Sequence, residues 1–329
     1  MLVLSCGFLI ACSWDKSLLH DSGDGEFHIV RFDRAVEDYA ETGNFSAWQR
    51  LNTDYPRELR ALVEDVLRLG SLDRENLDDS LRQFYSDSLL VQLRADVGQK
   101  FDDLSPYEHE MSEAFAELSR ECPDFVVPCV YVQNSAFNQS VVVGDSLIGI
   151  SLDKYMGADY PPYQRFFYEN QRASMEPKRI VQDCLGFYLM QLYPLLLPKG
   201  RRSPNLQETM VHSGIIGWAV AHVLGRGLDD VAACQVSTKQ WYARNERTAW
   251  RRLVEHDLWL SENDRLIRSV MRSSDARPYF GEAHSRGIGF WMGMRVVESY
   301  MRRHGEVTLN ELLHERDYAK ILRQSHYME

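Results

Sequence analysis

Apolar residues recur every three or four positions along most of the chain, which is the spacing of one face of an α-helix. In residues 56–69, Leu59, Leu62 and Val66 share one face, and Gly70 marks the stop. Segments with the same period cover 74–104, 105–118, 176–192, 206–224, 231–259, 287–303 and 308–325. The pattern predicts a chain that is mostly helical.

Three other segments predict a small β-sheet. Residues 27–32 (FHIVRF) suit a short strand, and runs rich in Val and Ile cover 127–133 and 140–152. Gly144-Asp145-Ser146 interrupts the last run with the residue types of a hairpin turn. Many helices packed on one small sheet define an α+β fold that is predominantly helical.

The first twelve residues, MLVLSCGFLIAC, form an uncharged apolar run that ends in Ala11-Cys12. Bacterial lipoprotein signals end in a small residue before a cysteine, whose thiol receives a diacylglyceryl group. The run is too short to cross a bilayer, which needs roughly 20 apolar residues. We therefore predict a signal peptide at 1–11, lipid attachment at Cys12, a polar tether at 12–26 and one globular domain at 27–329.

The residues before the apolar run leave an alternative open. Secretory signals usually begin with a basic segment, but no Lys or Arg precedes Lys16. An ordinary buried N-terminal segment that contains a cysteine would read in the same way, so the lipid attachment needs a direct test.

The chain is acidic, with a net charge of −11, and residues 1–11 contribute none of that charge. An acidic surface argues against nucleic acid as a partner and against a polybasic membrane patch. After Cys12 no apolar run is long enough to span a membrane, since candidates such as Ile215–Leu224 are interrupted by Trp and His. We expect a soluble acidic domain that is attached to a membrane through its N-terminus.

The later cysteines are Cys122, Cys129, Cys184 and Cys234. An exported protein could join Cys122 to Cys129 across a short loop, because that compartment tolerates disulfides. All four lie among apolar residues, which favours buried thiols. No C-x-x-C pair is present, so the sequence contains neither a zinc knuckle nor a thioredoxin-like motif.

Motifs for nucleophilic or metal catalysis are weak. Gly144-Asp145-Ser146-Leu147 spells the GDSL of a serine esterase family, but it lies in mid-chain between two strands, where a turn is the better interpretation. His109 and Glu113 are the nearest approach to a zinc peptidase helix, and their face points away from the apolar stripe. His212 and His222 lie ten residues apart on one helix, nearly a quarter-turn out of phase, so they do not form a ligand pair.

Glycines and aromatic residues in the C-terminal half indicate packing. Gly287-x-Gly289-x-x-x-Gly293 lacks the preceding strand of a dinucleotide site, and we interpret it as close helix packing. Trp241, Tyr242, Trp250 and Trp259 follow helical spacing, which favours a core over a sugar-stacking platform.

From Arg31 to the C-terminus the chain resembles the gliding-motility lipoprotein GldB family of Bacteroidetes. The matching strings, in order, are RFD at 31–33, SAFN at 135–138, GD at 144–145, ISLDKYMG at 150–157, YPPY at 160–163, RIVQD at 179–183, QW at 240–241, NE at 245–246, GFWMG at 289–293 and ILRQS at 321–325. The resemblance implies an envelope lipoprotein associated with gliding or with the secretion machinery coupled to it. Relatives also occur in members of the phylum that do not glide, so motility of the host is not implied.

A more distant similarity is to predicted zinc peptidases, which carry His-Glu-x-x-His on one helix and a Glu-Gly ligand on the next. The corresponding helices here read Ile180–Leu185 and Met210–Gly214, and those ligands are absent from both. A shared fold would make this chain a degenerate zincin with a dead site kept for binding. Asp183 and His212 are then its candidate residues, either as a buried hydrogen-bonded pair or as two ligands of an altered site.

The sequence thus predicts a non-enzymatic lipoprotein of the cell envelope, on the periplasmic side or the cell surface. It is expected to contact other motility or secretion proteins and to need no catalytic residue, catalytic metal or cofactor. The alternative is a divergent metal-dependent hydrolase or peptidase of the envelope. A cleft that gathers several of Asp153, Asp183, His212 and Glu246 within ligand distance would favour that alternative.

Overall fold

The computed structural model of the protein describes residues 27–197, 199–232, 236–272 and 287–328. Helices dominate these ranges and surround one three-stranded sheet, which confirms the predominantly helical α+β class. The predicted signal peptide at 1–11, the lipid attachment at Cys12 and the tether at 12–26 lie outside the described residues.

Helices fill the chain on both sides of the sheet. Before it come α1 (Phe32–Thr42), α2 (Phe45–Asp54), α3 (Pro56–Arg60), α4 (Leu77–Tyr85), α5 (Ser88–Lys100) and α6 (Ser105–Glu121), with a π-helical segment at Ala61–Val66 after α3. After it come α7 (Tyr163–Phe166), α8 (Glu169–Arg172), α9 (Ile180–Leu192), α10 (Leu206–Val223), α11 (Leu228–Ala232), α12 (Val236–Glu255), α13 (Asp264–Met271), α14 (Ile288–Arg303), α15 (Leu309–His314) and α16 (Tyr318–Ser325). Short 3₁₀ turns occupy Leu152–Lys154, Pro177–Arg179 and Leu258–Leu260.

The sheet contains β1 (Cys129–Gln133), β2 (Val141–Gly144) and β3 (Leu147–Ser151) in the order β1-β3-β2. β3 is parallel to β1 and antiparallel to β2. Asp145 and Ser146 form the two-residue turn between β2 and β3, so the hairpin prediction is confirmed.

The predicted strand at 27–32 is wrong. Only Val30 pairs with β1: its N–H donates to the carbonyl of Val130 at 2.9 Å, and its carbonyl accepts from Val132 at 3.0 Å. Two residues later the chain enters α1, because the fully buried Phe32 packs among the N-terminal helices. The apolar alternation marked a buried entry to a helix, not a strand.

The two faces of the sheet contact different cores. Tyr131 and Leu147 point into a cluster formed by the N-terminal helices. Val130 and Ile148 point into the larger cluster, which includes α6, α9, α10 and α14. Successive strand residues face opposite sides, so the sheet lies between the two groups of helices and α9 packs along β2 and β3.

Helices α10 and α14 approach each other at glycine. A Cβ built on Gly293 would lie 2.0 Å from the carbonyl oxygen of Met210, and one built on Gly214 would lie 2.2 Å from the carbonyl carbon of Gly293. Both neighbours are backbone atoms and cannot rotate away. The glycine pattern was interpreted as close helix packing, and the structure confirms that interpretation.

Candidate functional site

A cleft of about 170 Å³ lies between α9, α10 and α14. Phe187, Met190, Ile216 and Phe290 give it apolar walls. Gly186 contributes to the empty space, since a Cβ built there would meet no heavy atom within 4 Å. The cleft is therefore shaped to receive an apolar group of modest size.

The polar end of the cleft holds Asp183 in the first turn of α9. One carboxylate oxygen accepts from Arg179, four residues earlier, at 3.0 Å, and the other accepts from the hydroxyl of Tyr155 at 3.1 Å. Burial raises the pKa of the Asp183 carboxyl, while the charge of Arg179 opposes that rise. Both oxygens are engaged, so Asp183 is positioned by its neighbours and is not set up as a free base.

Arg226 ties the first turn of α9 to the elements around it. Its guanidinium donates to the side-chain oxygen of Gln182 at 3.0 Å and to the carbonyl of Lys178 at 3.2 Å. The same group forms an ion pair with Glu110 on α6. Arg226 therefore links the start of α9 to α6 and to the end of α10.

His212 does not meet Asp183. Its imidazole Nε2 lies 2.8 Å from the carbonyl oxygen of Tyr193, at the C-terminal end of α9. Ten residues of helix separate Tyr193 from Asp183, which is about 15 Å at the rise of an α-helix. Burial lowers the pKa of His212, so the ring is a neutral donor to that carbonyl. Asp183 and His212 therefore do not form a hydrogen-bonded pair. Each side chain binds other residues of the fold.

Asp153 is fully buried in a different place, behind the loop that follows β1. Its carboxylate accepts from the backbone N–H groups of Ser135 at 2.8 Å and Phe137 at 2.6 Å, and from the Ser135 hydroxyl at 3.1 Å. Ala136 and Phe137 both have positive φ, at 51° and 67°, a conformation that non-glycine residues rarely adopt. Burial raises the pKa of Asp153 against these hydrogen bonds. The carboxylate holds a strained loop in place.

Glu246, on α12, lies in a network with residues of the C-terminal segment. Its carboxylate accepts from Arg295 at 3.1 Å and from the hydroxyl of Tyr327 at 2.7 Å. Tyr327 also packs edge-on against Trp250. Asp153, Asp183, His212 and Glu246 therefore have four separate sets of partners and do not converge on one cleft.

The cysteines, the His109–Glu113 pair and the C-terminal aromatic residues take structural roles. Cys122, Cys129 and Cys184 are free thiols, and Cys122 and Cys184 are buried, whereas Cys234 lies outside the described residues. His109 and Glu113 form an exposed pair at 3.4 Å, as the direction of their face predicted. Trp241 and Tyr242 are buried, and Trp250 packs edge-on against Trp259, which confirms the packing role.

One group among the described residues brings three possible metal ligands together, namely Glu117, Glu121 and His222. The guanidinium of Arg120 forms ion pairs with both carboxylates, and His222 is exposed and stacks on Trp218. At the surface, the charges of these groups are already paired with one another. The cluster is an ion-pair network that needs no metal to explain it.

Metal analysis gives the first test. We expect protein purified without chelators to contain zinc well below one equivalent, because catalytic zinc needs three protein ligands. Asp183 already binds Arg179 and Tyr155, and His212 binds a carbonyl. Elemental analysis of the purified protein, with Asp183→Asn and His212→Gln as matched variants, measures the content. Stoichiometric zinc that is lost in either variant contradicts this expectation and favours the hydrolase alternative.

Sequence reasoning selected Asp183 but missed the residues that define its surroundings. The spacing of Arg179 and Asp183, four residues apart in a helical segment, is a signal for an ion pair that could have been used. Tyr155 and the apolar walls from α10 and α14 carry no such local signal, because their approach depends on the tertiary fold.

Among the described residues, none of the helices combines the length and the apolar character that crossing a membrane requires. A family model described as gliding motility protein GldB matches residues 15–329, which is nearly the whole chain. Searches of curated proteins and of solved structures returned no match. The extent of the family match agrees with the ordered strings from Arg31 to Ser325. The chain belongs to the GldB family of gliding motility proteins.

Proposed function

We propose that this protein is a lipoprotein of the cell envelope that serves gliding motility, or the secretion machinery coupled to it, through protein contacts. The family match over residues 15–329 is the observation that carries the association with motility. The lipid on Cys12, the location on the periplasmic side or the cell surface, and the role in protein contacts are the further parts of this proposal.

The chemistry of the cleft supports binding over catalysis. Its described lining contains no serine, cysteine, threonine or histidine. The charged residues Arg179 and Asp183 neutralise each other at one end, and the remaining wall is mainly apolar. A site of this kind recognises shape and apolar surface, which is what a contact with another protein uses.

Crosslinking in native cells tests the role. A photoreactive residue at Phe187, in the cleft, is expected to capture a defined envelope protein of the motility or secretion machinery. The same residue at Val91, which is exposed on α5 and distant in sequence from the cleft, is the matched control. Mass spectrometry identifies what is captured. Capture of no such protein from Phe187, or of the same proteins from both positions, contradicts the proposal.

The anchor is tested separately. Changing Cys12→Ala is expected to move the protein from the membrane fraction to the soluble fraction, because the thiol that would receive the lipid is gone. Stable membrane attachment needs two or more acyl chains, which a processed lipoprotein cysteine carries. Cell fractionation and metabolic labelling with a fatty-acid analogue measure the effect.

Cys6→Ala is the matched control for the anchor, since it changes the other cysteine of the same apolar run. It is expected to keep both the label and the membrane fraction. If the wild-type protein takes up no fatty-acid label, the proposed lipid attachment at Cys12 is wrong, whatever the cell fractions show.

A further inference from the structure

The free edge of the sheet carries backbone groups that have no partner within the described part of the chain. In the two-residue hairpin, Gly144 pairs with β3, and Ser140 accepts from Ser151 at 2.9 Å. Pairing groups alternate along an antiparallel strand, so the N–H and C=O groups of Val141 and Val143 point away from β3. Among the residues that the structure describes, the outward backbone groups of Val141 and Val143 form no hydrogen bond.

Helix α9 packs over one face of the sheet at β2 and β3 and follows β2 for its whole length. The side chain of Gln191 donates to the carbonyl of Gly144 at 3.0 Å, at one end of the strand. At the other end, Tyr155 lies between the Ser140 side chain and Asp183. Eight helical residues and four strand residues both span about 12–13 Å. The helix segment from Asp183 to Gln191 therefore matches the strand from Ser140 to Gly144 in length.

The side of α9 nearest this edge carries Phe187. It lies four residues from Asp183 and four from Gln191, the residues at the two ends of the strand, and residues four apart share one side of a helix. The side chain of Phe187 is 45% exposed. We call the free edge of β2 and the α9 residues Asp183, Phe187 and Gln191 the trough, which offers backbone hydrogen bonds on one side and the Phe187 ring on the other.

We propose that the trough binds an extended peptide segment of a partner protein, which joins the sheet beside β2 as a fourth strand. The inference rests on the proposed role in protein contacts and names the surface and the chemistry of the partner. Only an extended backbone presents donors and acceptors at the spacing of Val141 and Val143. Its alternate side chains that face α9 are apolar, and those on the other face, the side of Val142 and the N-terminal helices, are basic, because the chain carries a net charge of −11.

The probe is an acetylated, amidated heptapeptide, Lys-Val-Lys-Phe-Lys-Val-Lys, added to the full-length protein in detergent. Hydrogen exchange of protein labelled with ¹⁵N-valine reports each backbone amide. At a peptide concentration of ten times Kd, about one chain in eleven is free, so the amides of Val141 and Val143 should exchange about tenfold more slowly. The amide of Val142 faces β3 and should change little.

Two protein variants separate the backbone from the side chain. Val143→Pro removes the outward N–H, and proline is tolerated on edge strands. It is expected to weaken peptide binding at least about fivefold, as loss of one hydrogen bond implies. Val143→Ala keeps the N–H and is the matched control, with a smaller effect. Equal weakening by both variants overturns the proposal.

Two peptide variants keep the test independent of protein folding. A strand has two edges, so one version is N-methylated at positions 2, 4 and 6 and the other at positions 3 and 5. One version should lose binding and the other should retain it, because only one edge pairs with β2. Loss in both, retention in both, or no binding of the parent peptide overturns the proposal.

Other results are also decisive. Slow exchange at Val141 and Val143 that depends on protein concentration without peptide would show pairing between two copies and would overturn the proposal. The proposed function fails separately, by the crosslinking at Phe187. A Val143→Pro protein that still captures the same envelope partner in cells would remove the trough from the interaction and leave the proposed function intact.

Discussion

Replacing Gly293 by alanine is expected to destabilise the protein by about 3 kcal/mol, at the upper end of the range for an overpacked core. The new methyl group would lie 2.0 Å from the carbonyl oxygen of Met210. Because that oxygen belongs to the backbone of α10, relief requires the two helices to separate and lose packing. Gly214→Ala should have an effect of similar size, since it faces the backbone of Gly293. Chemical denaturation measures both.

Gly98→Ala in α5 is the matched control, because a Cβ at that position meets no heavy atom within 4 Å. It should stabilise the protein by about 0.5–1 kcal/mol, since alanine loses less backbone entropy than glycine in a helix. A Gly293→Ala protein as stable as the wild type would show that α10 and α14 do not touch at these residues.

Removing the carboxylate of Asp153 should destabilise the protein at least as much as Gly293→Ala. Asp153→Ala leaves the N–H groups of the buried Ser135 and the half-buried Phe137 without their acceptor, and a buried donor without a partner costs about 1–3 kcal/mol. We expect a loss of about 3 kcal/mol or more. Asp153→Asn keeps one acceptor oxygen but turns an NH₂ group toward the second donor, so its loss should be about 1–3 kcal/mol.

Asp159→Asn is the control for that series, because Asp159 is exposed and should change the unfolding free energy by no more than about 0.5 kcal/mol. Thermal and urea unfolding give the order of the three variants. If Asp153→Ala and Asp159→Asn had the same stability, the loop at residues 135–137 would not depend on the buried carboxylate.

The fold class followed from the sequence because periodicity reports burial within one element. The hairpin turn at Asp145 and Ser146 and the close packing at Gly293 followed from residue types instead, since Gly, Asp and Ser favour turns and glycine lets two helices approach closely. The strand predicted at 27–32 failed because an apolar alternation of six residues also suits the buried entry to a helix. The single bridge at Val30 depends on β1, which lies a hundred residues later in the chain. A local sequence pattern cannot predict a pairing between residues so far apart in sequence.

Long segments were assigned correctly as helical but their breaks were not. The segment 74–104 divides into α4 and α5, where Asp87 accepts from the N–H of Leu89 at 2.8 Å and caps the second helix. The segment 308–325 divides into α15 and α16, with Asp317 as the cap of the second. The apolar spacing continues across such breaks because both helices bury apolar residues in the core, so the spacing alone does not show where one helix ends.

In the candidate site, too, the sequence predicted positions within one helix but not the contacts between helices. The position of Asp183 on α9 and of His212 on α10 could be read from the sequence, but the offset between the two helices could not. That offset places His212 at the far end of α9, beside Tyr193. The free edge of β2 was also out of reach, because a run of three valines does not reveal which strand lies outermost.

The bridge at Val30 has a mechanical consequence for a protein that is anchored through Cys12, as proposed. A pull on the tether reaches residues 27–31 before it reaches α1. There it meets two backbone hydrogen bonds to β1, the bond from Ile29 N–H to Glu108 at 2.8 Å, and the ring contact between Phe27 and Phe115. Release of these five residues lengthens the tether by about 17 Å. The anchored molecule can therefore extend under load before α1 unwinds.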